Sequence, residues 1–302
     1  GQKVHEQYGG VVPELASRAH QSNIIPVIHL ALEKAKISID DVNAVAVTQG
    51  PGLMGSLLVG TNVAKGICIA NNIPLIGVNH LEAHVAALFI DHEVKLPMLC
   101  LLVSGGHTQI ILVNGIDDMK IVGTTQDDAA GEAFDKAAKL LNLGYPGGPF
   151  IDQYAKQGDP NKYKFPDSQT QGFDFSFSGI KTSLLYFLRD HLKNDNEFIN
   201  NELPNICASY QHQIILSLTK RFAKAIEVHK PASIGLCGGV SANSELREAI
   251  EILGTKNGLQ VCIPAFEYCT DNAAMVAMAG YEKFQKNQFT PLDATPFARA
   301  QK

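Results

Sequence analysis
The sequence predicts an α/β fold whose first half is built on parallel strands. Short apolar runs at residues 43–48 and 73–78 alternate with longer stretches of helical periodicity, and strands that alternate with helices pair in parallel. Near Leu96 the pattern restarts. Two apolar runs, 99–103 and 108–113, are separated only by Ser104-Gly-Gly-His107, the signature of a β-hairpin with glycines available for a tight turn. From residue 233 the strand–helix alternation returns.

Taken in order, residues 11–36 carry a helical pattern, with a kink or break expected at Pro26. The strand at 43–48 (Asn-Ala-Val-Ala-Val-Thr) runs into Gln49-Gly-Pro-Gly-Leu-Met-Gly55, a tight glycine loop, and then a helix over 57–70. The strand at 73–78 leads into a helix that opens with His80. Beyond the hairpin, 121–125 reads as a third strand and 131–142 as a helix. A mostly helical, polar stretch continues to about residue 228. Phe173, Phe175 and Phe177 alternate and read as the buried face of a strand, with Ser176 and Ser178 facing the other way. Residues 233–237 form a strand, Gly238-Gly239 a turn, 243–253 a helix, 259–263 a strand and 271–285 the last helix. Antiparallel strands followed by α/β alternation suit a ribonuclease-H-like layer in this second half.

A chain of 302 residues has room for one large domain or two medium ones. Hydrophobic content of 45% and charged content of 18% describe a soluble protein with a sizeable core. No apolar run approaches the roughly 20 residues that span a bilayer, and no signal peptide is expected. The six cysteines form no Cys-x-x-Cys pair and sit in apolar runs; they read as reduced, buried thiols of a cytosolic protein. A net charge of −5 excludes a general nucleic-acid binder, so any work on RNA needs a local basic patch or a partner's help.

The chemistry-bearing residues fall into two sets. His80 and His84 lie four apart, one turn along one helix face, so both imidazoles reach a single metal ion. A distant carboxylate, Asp271 in Cys269-Thr-Asp-Asn272, can supply an oxygen ligand and leave a coordination position open. Alone, such a histidine pair is more often helix surface or core. The spacing also argues against a zinc protease, whose general-base Glu directly follows the first His. Here Leu81 holds that place, and Glu82 points roughly 200° away from His80 around the helix. A metal at this point is therefore a substrate-orienting Lewis acid.

The second set is three glycine pairs expected at strand ends: Gly105-Gly106, Gly147-Gly148 and Gly238-Gly239. Glycine lets backbone N–H groups approach an anion or a sugar closely. Gly238-Gly239 leads into a helix N-terminus, which favours phosphate, and Ser241 or Asn243 serves as its cap in the plainer reading. With Ser104, Asp135 and Asn243 nearby, the three turns point to a nucleotide site. Asp127-Asp128-Ala-Ala-Gly-Glu132 is acid-rich at a helix start, which by itself suits the helix dipole. His107 is either a site residue or a turn residue bonded to backbone.

Seven segments together resemble one family: His80-Leu-Glu-Ala-His84, Leu102-Val-Ser-Gly-Gly-His-Thr108, Asp127-Asp-Ala-Ala-Gly-Glu-Ala-Phe-Asp135, Tyr145-Pro-Gly-Gly-Pro149, Phe175-Ser-Phe-Ser-Gly-Ile-Lys-Thr182, Gly238-Gly-Val-Ser-Ala-Asn243 and Tyr268-Cys-Thr-Asp-Asn272. The family is that of the tRNA threonylcarbamoyladenosine transferases, once labelled sialoglycoprotein endopeptidases. The resemblance runs from about Tyr8 to near the C-terminus.

It implies an actin- and sugar-kinase-like fold of two ribonuclease-H-like domains around a central cleft. These are expected at 1–95 and 96–290, the second with a helical insertion, followed by a tail at 291–302. It implies transfer of a threonylcarbamoyl group from threonylcarbamoyl-AMP to the exocyclic amine of the adenosine 3′ of the anticodon, in tRNAs reading codons that begin with A. By match to the family's motifs, His80, His84 and Asp271 would hold an iron or zinc ion. Leu102, Val103, Ser104, Gly105 and Gly106, with Asp135, Gly148, Asp152 and Asn243, would hold the adenylate and its acyl group. No side chain stands out as general base. The implied partners are tRNA, an inactive paralogue forming a heterodimer, and a small ATPase, with no membrane; the surfaces of 11–36 and 57–70 are the expected paralogue contact.

Two departures stand out. The family opens with a strand and turn rich in acidic and hydroxyl residues, whereas this chain opens Gly1-Gln2-Lys3, so its first sheet is expected to lack an opening hairpin. Ala273 replaces the glycine common after Asp-Asn and is expected to crowd the site slightly. The competing readings are a metallopeptidase, disfavoured by Glu82, and an ATP-binding switch protein or small-molecule kinase of the same fold, for which the sequence singles out no carboxylate base.

Overall fold
The computed structural model describes residues 12–299. The chain forms two compact units, one made of residues up to Ile90 together with those from Asn272 onward, the other of Asp91–Asp271. No helix among the described residues is long and apolar enough to cross a membrane.

In the first unit, β1 (Val45–Gly50) pairs in parallel with β2 (Leu75–Asn79), Val45 opposite Leu75 and Thr48 opposite Val78. Among the described residues these two strands are the whole sheet. Helix α1 (Pro13–Ala35) packs on α2 (Met54–Asn71), which covers β1. Each of these helices is followed by a cap residue in the left-handed region, Lys36 at φ 57° and Asn72 at φ 53°. Of the kink or break expected at Pro26, the break is not there: α1 runs through it. Pro26 is exposed, so the carbonyl that loses its helical partner can turn to water. The chain then passes through α3 (His80–Ala86) and α4 (Leu88–Asp91). An open apolar hollow of about 750 Å³ lies among α1, β1, α2 and the last helix, lined by Ile28, Leu32, Val47, Ile67, Ala277 and Phe284 among others.

The second unit is organised around a mixed five-stranded sheet. Strands β3 (Met98–Val103), β4 (Thr108–Gly115) and β5 (Asp118–Thr124) form an antiparallel meander. On its other edge β3 pairs in parallel with β6 (Ser233–Cys237), which pairs in parallel with β7 (Gln260–Cys262). All six residues of β3 are fully buried, which is why this strand reads as a continuous apolar run rather than an alternating one. The helices are α5 (Ala130–Leu140), α6 (Gly147–Ala155), α7 (Ser178–Leu192), the long α8 (Phe198–His229) and α9 (Ser244–Asn257). A 3₁₀ turn, Gly239–Ala242, separates β6 from α9, and the short α10 (Phe266–Cys269) follows β7. The six cysteines are all buried free thiols.

Three expectations are corrected. The last helix, α11 (Ala273–Gln285), does not join the second domain: it packs on β1, β2 and α3 in the first unit. The cause is long-range packing, since a Cβ on Gly280 would stand 2.6 Å from that of Ala46, so helix and strand meet where neither carries bulk. The residues after it also return to the first unit rather than forming a separate tail: Thr290 bridges Leu75, and the Phe297 N–H donates to the Gln49 carbonyl at 3.0 Å. Finally, residues 173–177 form no strand. Only Phe175 makes a bridge, to Thr125, because side-chain carboxylates replace the ladder: Thr124 N–H donates to Asp174 at 2.9 Å and Phe177 N–H to Asp127 at 2.8 Å. The aromatic burial still holds for Phe175 and Phe177, which stack, while Phe173 is half-buried.

Candidate functional site
His80 and His84 owe their places to Asn79. This last residue of β2 caps α3, its Oδ1 accepting from the N–H groups of Leu81 at 2.9 Å and Glu82 at 3.3 Å. The helix therefore starts at the sheet edge with His80 as its first residue. His84 follows one turn later, buried, with the two rings 4.8 Å apart edge to face. Asp271 immediately precedes Asn272, which caps α11 by accepting from Met275 N–H at 2.8 Å, and α11 packs on α3. Two short capped starts thus bring three side chains together. One ligand atom from each of His80, His84 and Asp271 lies within 4.8 Å of the others, the one such group among the described residues. Donors about 2.1 Å from a shared ion stand roughly 3–3.5 Å apart in a closed tetrahedral shell. The group is thus an open arrangement of two imidazole nitrogens and one carboxylate oxygen, a donor set that suits iron or zinc and leaves positions free. Glu82 is not a member of the group, as its position on the helix requires.

The second candidate set lies within the second unit. The turn between β3 and β4 is closed by its own atoms: Ser104 N–H donates to the His107 carbonyl at 2.8 Å, and His107 N–H to Ser104 Oγ at 3.0 Å. A Cβ on Gly105 or Gly106 would meet nothing within 4 Å, so this turn offers open backbone. Leu102 and Val103 are fully buried, so what they offer a ligand is main chain only. Behind the turn, α5 approaches so closely that a Cβ on Gly131 would stand 2.4 Å from the Ser104 carbonyl oxygen.

The other two glycine pairs divide the labour between their members. Gly147 and Gly238 serve packing. A Cβ on Gly147 would meet that of Ala138 at 2.5 Å; Gly238 has φ 89° and would meet the Val103 carbonyl oxygen at 2.4 Å. Gly148 and Gly239 face open space, with nothing within 4 Å of an added Cβ. Gly147-Gly148 stands at the start of α6 rather than at a strand end, and Gly238-Gly239 enters the 3₁₀ turn before α9.

Asp135, on α5, accepts from Gly147 N–H at 2.7 Å. Burial raises its pKa above the ordinary carboxylate value; that bond opposes the rise and the neighbouring Glu132 charge adds to it. Asn243 is the true cap of α9, accepting from Leu246 N–H at 3.0 Å, while its amide donates to Gln211 Oε1 at 2.7 Å. Gln211 in turn donates to Asp152 at 3.2 Å and to Glu245 at 3.1 Å, and Ser244 Oγ donates to Asp152 at 2.7 Å. Sequence reasoning missed Gln211, Ser244 and Glu245; a helix-interior glutamine carries no signal of its own. Ser241, the alternative cap, is wholly buried and its Oγ has no partner among the described residues. Asp127 accepts from Ser176, Phe177 and Ser178. Burial alone would raise its pKa, but hydrogen bonds from Ser176, Phe177 and Ser178 outweigh this and lower it, and they fix the start of α7.

With this geometry in view, comparison with known proteins is decisive. The family model described as tRNA N6-adenosine threonylcarbamoyltransferase matches residues 1–278. The chain belongs to that family. The tRNA N6-adenosine threonylcarbamoyltransferase of Christiangramia forsetii is 53% identical over 302 residues, covering 99% of this chain and 89% of that one. Those of Porphyromonas gingivalis and Cytophaga hutchinsonii are 51% and 52% identical, over 89% and 87% of their lengths and 99% of this chain. Among solved structures, full-length HypF in its phosphate- and nucleotide-bound form has a TM-score of 0.60 at 13% identity, covering 90% of this chain and 42% of that one. HypF of T. kodakarensis has a TM-score of 0.60 at 14% identity, over 86% and 43%. At such identity these two speak for the α/β fold alone. As a member of the threonylcarbamoyltransferase family, the chain is a tRNA-modifying transferase.

Proposed function
We propose that the chain transfers the threonylcarbamoyl group of threonylcarbamoyl-AMP to the exocyclic amine of the adenosine 3′ of the anticodon, in tRNAs reading codons that begin with A. The observation that carries this reading is the family match over residues 1–278, within which every expected site motif falls. The two units are read as ribonuclease-H-like domains of the actin and sugar-kinase type, supported by the order β5-β4-β3-β6-β7 in the second.

In this reading His80, His84 and Asp271 hold one iron or zinc ion. Bound there, the ion supplies Lewis-acid polarisation and orientation of the acyl group. The remaining work belongs to the chain. The open backbone at Gly105-Gly106, Gly148 and Gly239 receives the adenylate, its N–H groups facing the phosphate that departs as AMP. Asp135, with one oxygen engaged by Gly147, offers the other to a ribose hydroxyl. Asp152 and Asn243, tied together through Gln211, define the floor beside the α9 start. The acceptor base lies in an RNA loop, where it splays from its neighbours at little cost.

With a net charge of −5, the chain is read as working beside partners: an inactive paralogue, contacting the surfaces of α1 and α2, where Ile25, Leu58 and Ile69 are exposed, and a small ATPase. The test is transfer of the labelled threonylcarbamoyl group from preformed threonylcarbamoyl-AMP into tRNA by the protein with its partners and ATP, comparing wild type with His84→Ala. Label in wild type that disappears in the mutant supports the reading; no label with either protein sinks it and favours an ATP-binding switch.

A further inference from the structure
The segment that delivers Asp271 leaves the sheet at the end of β7 and reaches α11 through the short α10. A single side chain grips it from three sides. Arg247, one turn into α9, donates from Nη2 to the Pro264 carbonyl at 2.9 Å. From Nη1 it donates to the Ser241 carbonyl at 3.0 Å and reaches the Cys269 sulfur at 3.5 Å. Its guanidinium also lies over the Phe266 ring, 4.4 Å from the centroid, although Phe266 is 67% exposed. Cys269, two residues before Asp271, is fully buried, and its thiol donates in turn to the Ala265 carbonyl at 3.5 Å.

We infer that Arg247 is a positioning residue for Asp271. Its fork fastens residues 264–269 to the 3₁₀ turn at Gly239–Ala242, and this sets where the carboxylate two residues further on is held. The chemistry needs arginine: two carbonyls in different directions, a sulfur and an aromatic face are met by one planar, always-charged group, and an ammonium meets at most part of that set. The turn it grips is the one whose Gly239 offers open backbone and whose Ser241 Oγ is buried without a partner among the described residues. The same side chain therefore touches both the turn that carries Gly239 and the segment that leads to Asp271. The inference rests on reading His80, His84 and Asp271 as metal ligands.

The test measures zinc affinity of the full chain by competition with a chromophoric chelator, below the unfolding midpoint of each variant. Hydrogen exchange is followed in peptides covering 264–271 and, as reference, in those covering β3 and β6. Arg247→Met is expected to weaken zinc binding about tenfold, the scale on which groups behind the ligands act. Its exchange should rise at 264–271 and stay unchanged in β3 and β6. Arg247→Lys, which keeps one carbonyl bond, should recover part of the loss. Wild-type zinc affinity in Arg247→Met, alongside a His84→Ala control that loses zinc, overturns the inference while leaving the metal reading intact. Exchange that rises equally across the sheet also overturns it, since Arg247 would then be acting on stability at large. Wild-type affinity in His84→Ala overturns the metal reading itself and the inference with it.

Discussion

The backbone N–H of Gly147 donates to Oδ1 of Asp135 at 2.7 Å, joining the first residue of α6 to the middle of α5. The contact exists because residue 147 has no side chain: a Cβ there would sit 2.9 Å from the Asp135 Cα. A half-buried carboxylate is thereby held in place by main chain, and its ionisation is made harder by burial first and by Glu132 after it.

That shift gives Asp135 a pH signature. Its folded pKa lies above the ordinary 3.8, so the folded state holds the proton more tightly than the unfolded state. The associated stability is full below that ordinary value and lost as pH rises through the raised one. Asp135→Asn keeps an oxygen for Gly147 and removes the charge. Thermal unfolding of the variant should vary less with pH from 3.8 upward, and AMP titrated by calorimetry should bind more weakly. Unfolding profiles that run parallel in the two proteins would refute the assignment.

Asp127 behaves oppositely. Hydrogen bonds from Ser176, Phe177 and Ser178 overcome its burial and lower its pKa, so its contribution is present above 3.8 and vanishes as pH falls through the lowered value. Asp127→Ala should cost about 1 kcal/mol at neutral pH, the usual loss for removing a cap. Urea unfolding should show the gap between the two proteins closing in acid.

The two members of a glycine pair should separate cleanly. Gly238→Ala forces a side chain into φ 89° and against the Val103 carbonyl, and should destabilise by about 2–4 kcal/mol. Gly239→Ala meets nothing in the chain and should leave the unfolding midpoint within about 0.5 kcal/mol of wild type. If its open backbone receives the adenylate, AMP affinity should nonetheless fall. Unchanged affinity in Gly239→Ala would remove that turn from the site.

Asn79→Ala removes the acceptor for both Leu81 and Glu82 at the start of the histidine helix. Loss of about 1 kcal/mol is expected, together with weaker zinc retention on dialysis, because a frayed first turn loosens His80 directly. Full zinc retention would show that packing on α11 alone holds α3.

Much of this was legible in the sequence. The strands β2, β3, β4 and β6 announce themselves as apolar runs because they are largely covered by helices or neighbouring strands, and β1 reads the same way although it is only half-buried. The histidine pair was readable because helical spacing converts directly into shared direction. What stayed hidden depends on partners far along the chain. Nothing local marks Gln211 or Arg247, whose roles come from Asp152, Asn243, Pro264 and Phe266 arriving from other elements. Residues 173–177 carry a strand's alternation but lose the ladder to Asp127 and Asp174. Pro26 reads as a breaker because sequence does not say that it faces water.

Gly280 carries a consequence for how His80, His84 and Asp271, the proposed metal ligands, are kept in register. A helix that rests glycine against Ala46 has one seating along β1; slid by a residue, it would drive the side chain of Ala279 or Tyr281 into the strand. Asp271 stands just before Asn272, the cap at the start of the same helix. The height of its carboxylate beside the two imidazoles is therefore indexed by a notch midway along that helix. A bulkier residue at 280 would detune the ligand cluster without touching it.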